Sequence, residues 1–394
     1  MLRQSVISIG NFRGDEPSCQ PSCLRLHIGG RTFLDVLIDE VARYDLFDEI
    51  LLLTDDTSGL IEAGYHATVR GRSRLSVAIE RECVGVGGAL GRAWNLLNSR
   101  FLLLNANSFF DFNLLDLISR SADSLVHAAL LAATKDDRHA RVSLDGDIVS
   151  GLLAPGQGRT CPIVSGICVI DRRILAKIPR HPASLEQVFE KPIASGAVRG
   201  TAYHGYFTDI DFPDEFARAA LELKERLTRP AVFFDRDGVL NHDAGYVFEA
   251  SKFQWMERAR EAVKLVNDAG YFAFVITNQS GVARGFYEES HVHALHRWMA
   301  DELATIGAHV DAFEHCPDHP DAAVERYRRV SPRRKPGPGM ITDLLERFPV
   351  AAANSILIGD QPTDLEAARA AGIQGLLFQT GNLEIFVREA LKLP

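Results

Sequence analysis

The chain has no long hydrophobic run. Its most apolar stretch, Ala128 to Ala133, is far too short for a bilayer, which needs about 20 apolar residues. Met1-Leu2-Arg3-Gln4 opens without the apolar stretch of a secretory leader, so a cytoplasmic protein is expected. Positive charge is not in excess. The 43 Lys and Arg stand against 52 Asp and Glu, a net charge of −9, so neither nucleic acid nor an anionic membrane surface is an expected partner. Cysteine is sparse. Cys19, Cys23, Cys83, Cys161, Cys168 and Cys316 follow no repeated spacing, which argues for reduced thiols and against a disulfide framework. There is no low-complexity segment and no internal repeat. What the chain does have is 394 residues with 46% hydrophobic content, enough for two or three α/β domains with sizeable cores.

The most informative segment is Phe233-Phe234-Asp235-Arg236-Asp237-Gly238-Val239. The apolar run Ala231 to Phe234 reads as a short buried strand. Such a strand carries two carboxylates out at its carboxyl end, where open α/β sheets place ligands. Two close carboxylates repel unless a cation lies between them. The pair therefore reads as a magnesium site with a nucleophile or as an acid/base couple, and a solvated Asp-Gly turn is the bland alternative. Three later segments bear on the choice. Tyr271 to Ile276 leads into Thr277-Asn278-Gln279-Ser280-Gly281, whose hydroxyl suits a phosphoryl oxygen. Arg334-Lys335-Pro336 sits in a loop before a predicted helix, and Ile356-Leu357-Ile358-Gly359-Asp360 is another strand ending in acids, with Asp364 beyond it.

In that order the four segments resemble the haloacid dehalogenase (HAD) superfamily of phosphoryl-transfer enzymes. Over residues 230–380 the likeness is closer. Asp235 to Asn241, Gly245-Tyr246-Val247, Thr277 to Gly285 and Arg334 to Met340 resemble the D-glycero-D-manno-heptose-1,7-bisphosphate 7-phosphatases, near relatives of histidinol-phosphate phosphatases. The resemblance implies Asp235 as nucleophile, Asp237 as general acid and base, and Thr277 and Lys335 as phosphoryl ligands. It implies Mg2+ held by Asp235, the backbone carbonyl of Asp237 and Asp360, with Asp364 orienting Lys335 or the metal shell. Asn278, Arg284 and Arg334 are the expected substrate contacts, and the expected partner is a small sugar phosphate. Histidinol phosphate or another small phosphomonoester is the alternative substrate.

One departure stands out. Many members of this phosphatase family hold structural zinc through Cys-x-His and Cys-x-Cys before the Arg-Lys-Pro segment. The matching positions are Cys316, Asp318, Ser331 and Arg333. One thiolate with His315 and His319 nearby makes no closed tetrahedral site, so zinc is not expected. The loop arginines Arg326, Arg328, Arg329, Arg333 and Arg334 either pair with its own acids, the favoured reading, or meet the second phosphate of a bisphosphate.

Strands over 231–235, 271–277, 309–314, 355–359 and 374–378 alternate with helices over 257–269, 288–305, 338–347 and 363–371, which predicts a doubly wound parallel sheet. The gaps between motifs hold no full cap domain. Loops 242–254, 279–287 and 315–334 are therefore expected to set specificity around an open site. A boundary is expected near Thr228-Arg229-Pro230, giving domains 1–228 and 229–394. Phe216, Ala219, Ala220 and Leu223 are expected on one face of the helix preceding it.

Residues 1–228 resemble sugar-1-phosphate nucleotidyltransferases of the heptose-1-phosphate guanylyltransferase type, again an α/β fold with a mostly parallel sheet. The segments carrying this likeness are Gly29 to Asp35, Glu49 to Thr54, Gly85 to Leu90, Leu104 to Asp111 and Gly205 to Ile210. Four departures suggest a degenerate transferase. Ile9 to Gly14 carries Phe12 where that family has a glycine-rich phosphate loop. Pro21-Ser22-Cys23 lacks its lysine. Asn107 replaces a metal-binding aspartate, although Asp209 keeps the second one. Ala154-Pro155 replaces a sugar-contacting Glu-Lys pair. This half is expected to stabilise the phosphatase, to mediate a homo-oligomer or to bind a sugar nucleotide. A bifunctional phosphatase and guanylyltransferase is the other reading.

Overall fold

The computed structural model describes residues 2–9, 22–54, 64–65, 68–80, 85–134, 137–177 and 183–393. Its chain divides into two compact units, Met1–Lys224 and Glu225–Pro394. The division falls within the helix Pro213–Leu227. The phosphate-loop stretch from Gly10 to Gly14, Pro21, Cys19 and Cys83 lie outside the described residues.

In the C-terminal unit five strands and five helices alternate. They are β1 (Ala231–Phe234), α1 (Ala259–Asp268), β2 (Phe272–Asn278), α2 (Glu289–Ala304), β3 (Ala312–Cys316), α3 (Gly339–Arg347), β4 (Ile356–Gly359), α4 (Pro362–Ala370), β5 (Gln374–Leu377) and α5 (Leu383–Ala390). All neighbours are parallel, in the order β3-β2-β1-β4-β5. Successive side chains of a strand face opposite sides. Val232 and Phe234 accordingly enter one core with Val263, Val266, Met299 and Val387. Ala231 and Phe233 enter another, with Phe274, Met340, Leu344 and Ala367. Burial on both faces is why β1 reads as an unbroken apolar run. The order reverses beside β1, so the carboxyl ends of β1 and β4 open the crevice where doubly wound folds bind ligands.

β3 starts at Ala312, three residues later than the apolar pattern implies. Ahead of it side chains share the bonding with the backbone, although Asp311 N still donates to Ala273 O at 2.8 Å. His309 N donates to Asn267 Oδ1 at 2.8 Å, and Asp311 Oδ2 accepts from Ala273 N at 2.9 Å.

The sheet of the N-terminal unit has ten described strands. Gln4–Ile9 lies between Glu49–Thr54 and Arg100–Asn105, parallel to both. The expectation of a mostly parallel sheet needs correction. Ile163–Asp171 runs antiparallel to Arg100–Asn105 and to Val126–Leu131, and the hairpin of Arg141–Asp145 with Ile148–Leu153 extends that side. Ala220 is exposed on its helix, whereas Glu215 is buried. Glu215 pairs with Arg138 at 2.5 Å and accepts from Asp209 N at 2.7 Å, so an acid replaces the expected apolar contact. The described cysteines, Cys23, Cys161, Cys168 and Cys316, are free thiols. No described helix is long and apolar enough to cross a membrane.

Candidate active site

Asp235 follows β1 directly, and its amide donates to Ile358 O of β4 at 2.9 Å. That bond anchors the nucleophile candidate at the switch point. Gly238 has φ +88°, a conformation open to glycine, and a Cβ there would collide with the Asp360 carboxylate. The turn after β1 thus packs against the end of β4.

Lys335 is buried and links three groups. Its Nζ lies 2.8 Å from Asp235 Oδ1 and 2.7 Å from Asp364 Oδ1, and donates to Ile276 O at 3.3 Å. Asp364 also accepts from Gln361 N at 3.0 Å, in a capping box that starts α4. Carboxylate oxygens of Asp235, Asp360 and Asp364 lie within 4.8 Å of one another.

Burial raises the Asp235 carboxyl to about 7. Lys335 opposes the rise, and Asp364 and Asp237 add to it. Burial would lower the Lys335 ammonium, but Asp235 and Asp364 outweigh burial and raise it. Burial also raises Asp360, against the hydrogen bond from Gln361. Three acids around one ammonium leave room for a cation. An all-oxygen, carboxylate-rich donor set suits a hard divalent ion such as Mg2+.

The Asp237 carboxylate turns to a different set of partners. Oδ1 accepts from Arg236 Nε at 3.2 Å and from Asn241 Nδ2 at 3.0 Å, and Oδ2 accepts from a terminal nitrogen of Arg236 at 2.8 Å. Gln279 Nε2 donates both to Asp237 Oδ2 and to Thr277 Oγ1, each at 2.9 Å. Arg236 is fully buried and also donates to Val247 O at 2.7 Å. Arg236, Asn241, Gln279 and Tyr287 were not among the expected site residues. Gln279 stands within the Thr277 segment and Arg236 between the two aspartates. Their positions could have flagged them, but a charged residue beside a carboxylate more often points to solvent.

Asn278 bonds to protein. Its Oδ1 accepts from Lys335 N at 3.0 Å and its Nδ2 donates to Lys335 O at 3.1 Å. It therefore holds the lysine loop against the end of β2. Arg284 is exposed after the short helical turn Ser280–Ala283. Burial lowers the half-buried Arg334 guanidinium, Cys316 opposes this, and the charge of Arg284 lowers it further. Arg334 donates weakly to Asp318 O at 3.4 Å. Among the described residues neither arginine has a carboxylate partner.

The other loop arginines pair within the protein. Arg329 meets Asp318 at 2.9 Å, Arg333 meets Glu314 at 2.5 Å and also Asp343, Arg328 donates to Ala322 O at 2.8 Å, and Arg326 covers the Tyr327 ring at 4.6 Å. Burial raises the Cys316 thiol, against hydrogen bonds from the Asp318 backbone and the Ser331 hydroxyl. Contacts within the protein thus connect Cys316, Asp318 and Ser331.

In the N-terminal unit Asn107 Nδ2 donates to Asp211 Oδ2 at 2.6 Å. Asp209 accepts from Asp211 N at 3.1 Å and lies 3.5 Å from His139. Asn107 and Asp209 are thus both engaged with protein groups.

Residues 332–389 match the family described as HAD-hydrolase-like. A D-glycero-beta-D-manno-heptose-1,7-bisphosphate 7-phosphatase of Rhodopseudomonas palustris is 48% identical over 163 residues, 41% of this chain and 91% of the relative. A D-glycero-alpha-D-manno-heptose-1,7-bisphosphate 7-phosphatase of Burkholderia mallei is 41% identical over 143 residues, 36% of this chain and 76% of the relative. The N-terminal part has the fold of HddC of Yersinia pseudotuberculosis, solved as a complex with GMP-PN, with a TM-score of 0.50 at 23% identity over 57% of this chain and 100% of that one.

Proposed function

Since this chain belongs through its C-terminal half to the D-glycero-D-manno-heptose-1,7-bisphosphate 7-phosphatase family, a group of HAD-type phosphomonoester hydrolases, we propose that it removes the C7 phosphate of D-glycero-D-manno-heptose 1,7-bisphosphate. The observation that carries this reading is the buried Lys335 bridging Asp235 and Asp364 at 2.8 and 2.7 Å at a parallel-sheet switch point. Asp235 attacks phosphorus in line and displaces the sugar oxygen, forming an aspartyl phosphate. Asp237 gives its proton to that oxygen, then takes one from the water that attacks the phosphoenzyme and frees inorganic phosphate. Thr277 and Lys335 bind the transferring group. Asp235, the Asp237 carbonyl and Asp360 would hold Mg2+, which when bound offsets the repulsion between carboxylate and phosphate.

Arg284 and Arg334 support a bisphosphate. Two neighbouring guanidinium groups without a carboxylate suit a second phosphate and disfavour the ammonium of histidinol phosphate. Asn278 acts on the lysine loop in this reading, and a substrate contact is left to its remaining donor and acceptor capacity. The amino half is a degenerate transferase, supported by the protein-bound Asn107 and Asp209.

The test is phosphate release from the bisphosphate, with histidinol phosphate as comparison. Asp235→Asn should lower the rate on the order of 10³-fold or more, as loss of a nucleophile does elsewhere. Equal rates for wild type and variant refute the nucleophile. A higher kcat/KM for histidinol phosphate overturns the substrate.

A further inference from the structure

Among the described residues Gln279 is the one side chain that bonds to both Asp237 and Thr277, and both bonds leave from the same nitrogen. An amide has an oxygen and an NH2 group of nearly equal size and opposite polarity. Shape alone does not choose which end faces a carboxylate. Tyr287 makes the choice. Its hydroxyl donates to Gln279 Oε1 at 2.7 Å. Gln279 is 2% exposed and Tyr287 6%, so bulk water does not replace that bond. Burial raises the phenol to about 12, with Arg236 opposing and Asp237 adding, so it remains a donor at neutral pH. The ring is fixed on both sides. It stacks on Phe248 at 4.6 Å and 20°, and it occupies the space that a side chain on residue 281, a glycine, would fill.

We propose that Tyr287 is a positioning residue: through the Gln279 amide it holds the Asp237 general acid and the Thr277 hydroxyl in one register. This rests on the phosphatase reading. Without the phenolic hydrogen bond the amide can reverse. A reversed amide sets its oxygen against the Asp237 carboxylate and leaves Thr277 Oγ1 without its donor. The acid then swings away from the leaving oxygen. Phe248 belongs to the 242–254 loop and Tyr287 to the 279–287 loop. The stacked rings therefore tie both specificity loops to the general acid.

The experiment compares two substrates in the full-length chain. One is the sugar bisphosphate, whose alkoxide leaving group needs a proton. The other is 4-nitrophenyl phosphate, whose phenolate leaves as a weak base. General acid catalysis contributes about 10²- to 10⁴-fold. Tyr287→Phe keeps the stacked ring and should lower kcat/KM, which ends at phosphoenzyme formation, by about tenfold more for the bisphosphate than for the aryl ester, the two sharing any loss at Thr277. Gln279→Leu should show the same selectivity more strongly. The double variant should be no worse than Gln279→Leu alone, because the tyrosine acts only through the amide. Equal losses on both substrates, no loss at all, or additive losses in the double variant overturn the inference. Should wild type cleave neither ester, the phosphatase reading fails and this inference with it. Wild-type cleavage of both, with an unchanged ratio in Tyr287→Phe, sinks the inference alone.

Discussion

Withdrawing the divalent cation should expose the charge shortage of the site as lost stability. Asp235, Asp360 and Asp364 converge on one ammonium, that of Lys335. Asp237 is neutralised apart from them by Arg236. With all three acids ionised the pocket is two positive charges short, the charge of one Mg2+. An ion that binds the folded site and not the unfolded chain stabilises by about 2.7 kcal/mol at a hundredfold excess over Kd. For a unit the size of Glu225–Pro394 that amounts to a rise of about 5–10 °C in its melting midpoint.

The pH dependence has a definite sign. Between the ordinary carboxylate range and about 7, the metal-free folded state keeps a proton on Asp235 that the unfolded chain has released. Stability of the metal-free protein therefore falls as pH rises through that window. Mg2+ displaces the proton, so its stabilisation should be larger at pH 7.5 than at pH 5.5. Trp94→Phe leaves Trp255 and Trp298 as fluorescent reporters, both in the C-terminal unit. Melts are compared in Mg2+ and in EDTA. Asp360→Asn should remove most of the shift. Lys335→Met widens the shortage to three charges and should enlarge it. A shift in Asp360→Asn as large as in wild type, or one that shrinks as pH rises, refutes this account of the site.

Two further outcomes follow from single positions. Gly238→Ala places a Cβ at φ +88° against the Asp360 carboxylate, so phosphate release should fall at least tenfold while far-UV circular dichroism stays unchanged; wild-type turnover would show that the turn after β1 does not position Asp360. In the amino half, heptose 1-phosphate with GTP and Mg2+ should yield no pyrophosphate, measured by a coupled enzymatic assay; sustained release would establish a working transferase despite Asn107.

Much of the C-terminal unit was legible because its signals are local. An apolar run bounded by glycine and acids specifies a strand and what stands at its end. Asp235, Thr277 and Asp360 could therefore be assigned to strand ends before any contact was known. Helix α1 was equally plain, since Ala259, Ala262, Val263 and Val266 repeat with the helical period and are all buried. The start of β3 moved where side chains enter the backbone bonding, as those of Asn267 and Asp311 do.

The amino acid order by itself determined the elements, their alternation and the order of the four chemical groups, because backbone periodicity depends on near neighbours. Tertiary structure alone decided where the polar side chains turned. Asn278 faces the lysine loop, Arg236 is buried against Asp237, Glu215 replaces an apolar contact, and Tyr287 orients Gln279. Each choice joins groups brought within reach only by the packed sheet and its loops. A buried donor or acceptor must find a partner there, and residue type alone does not say which one.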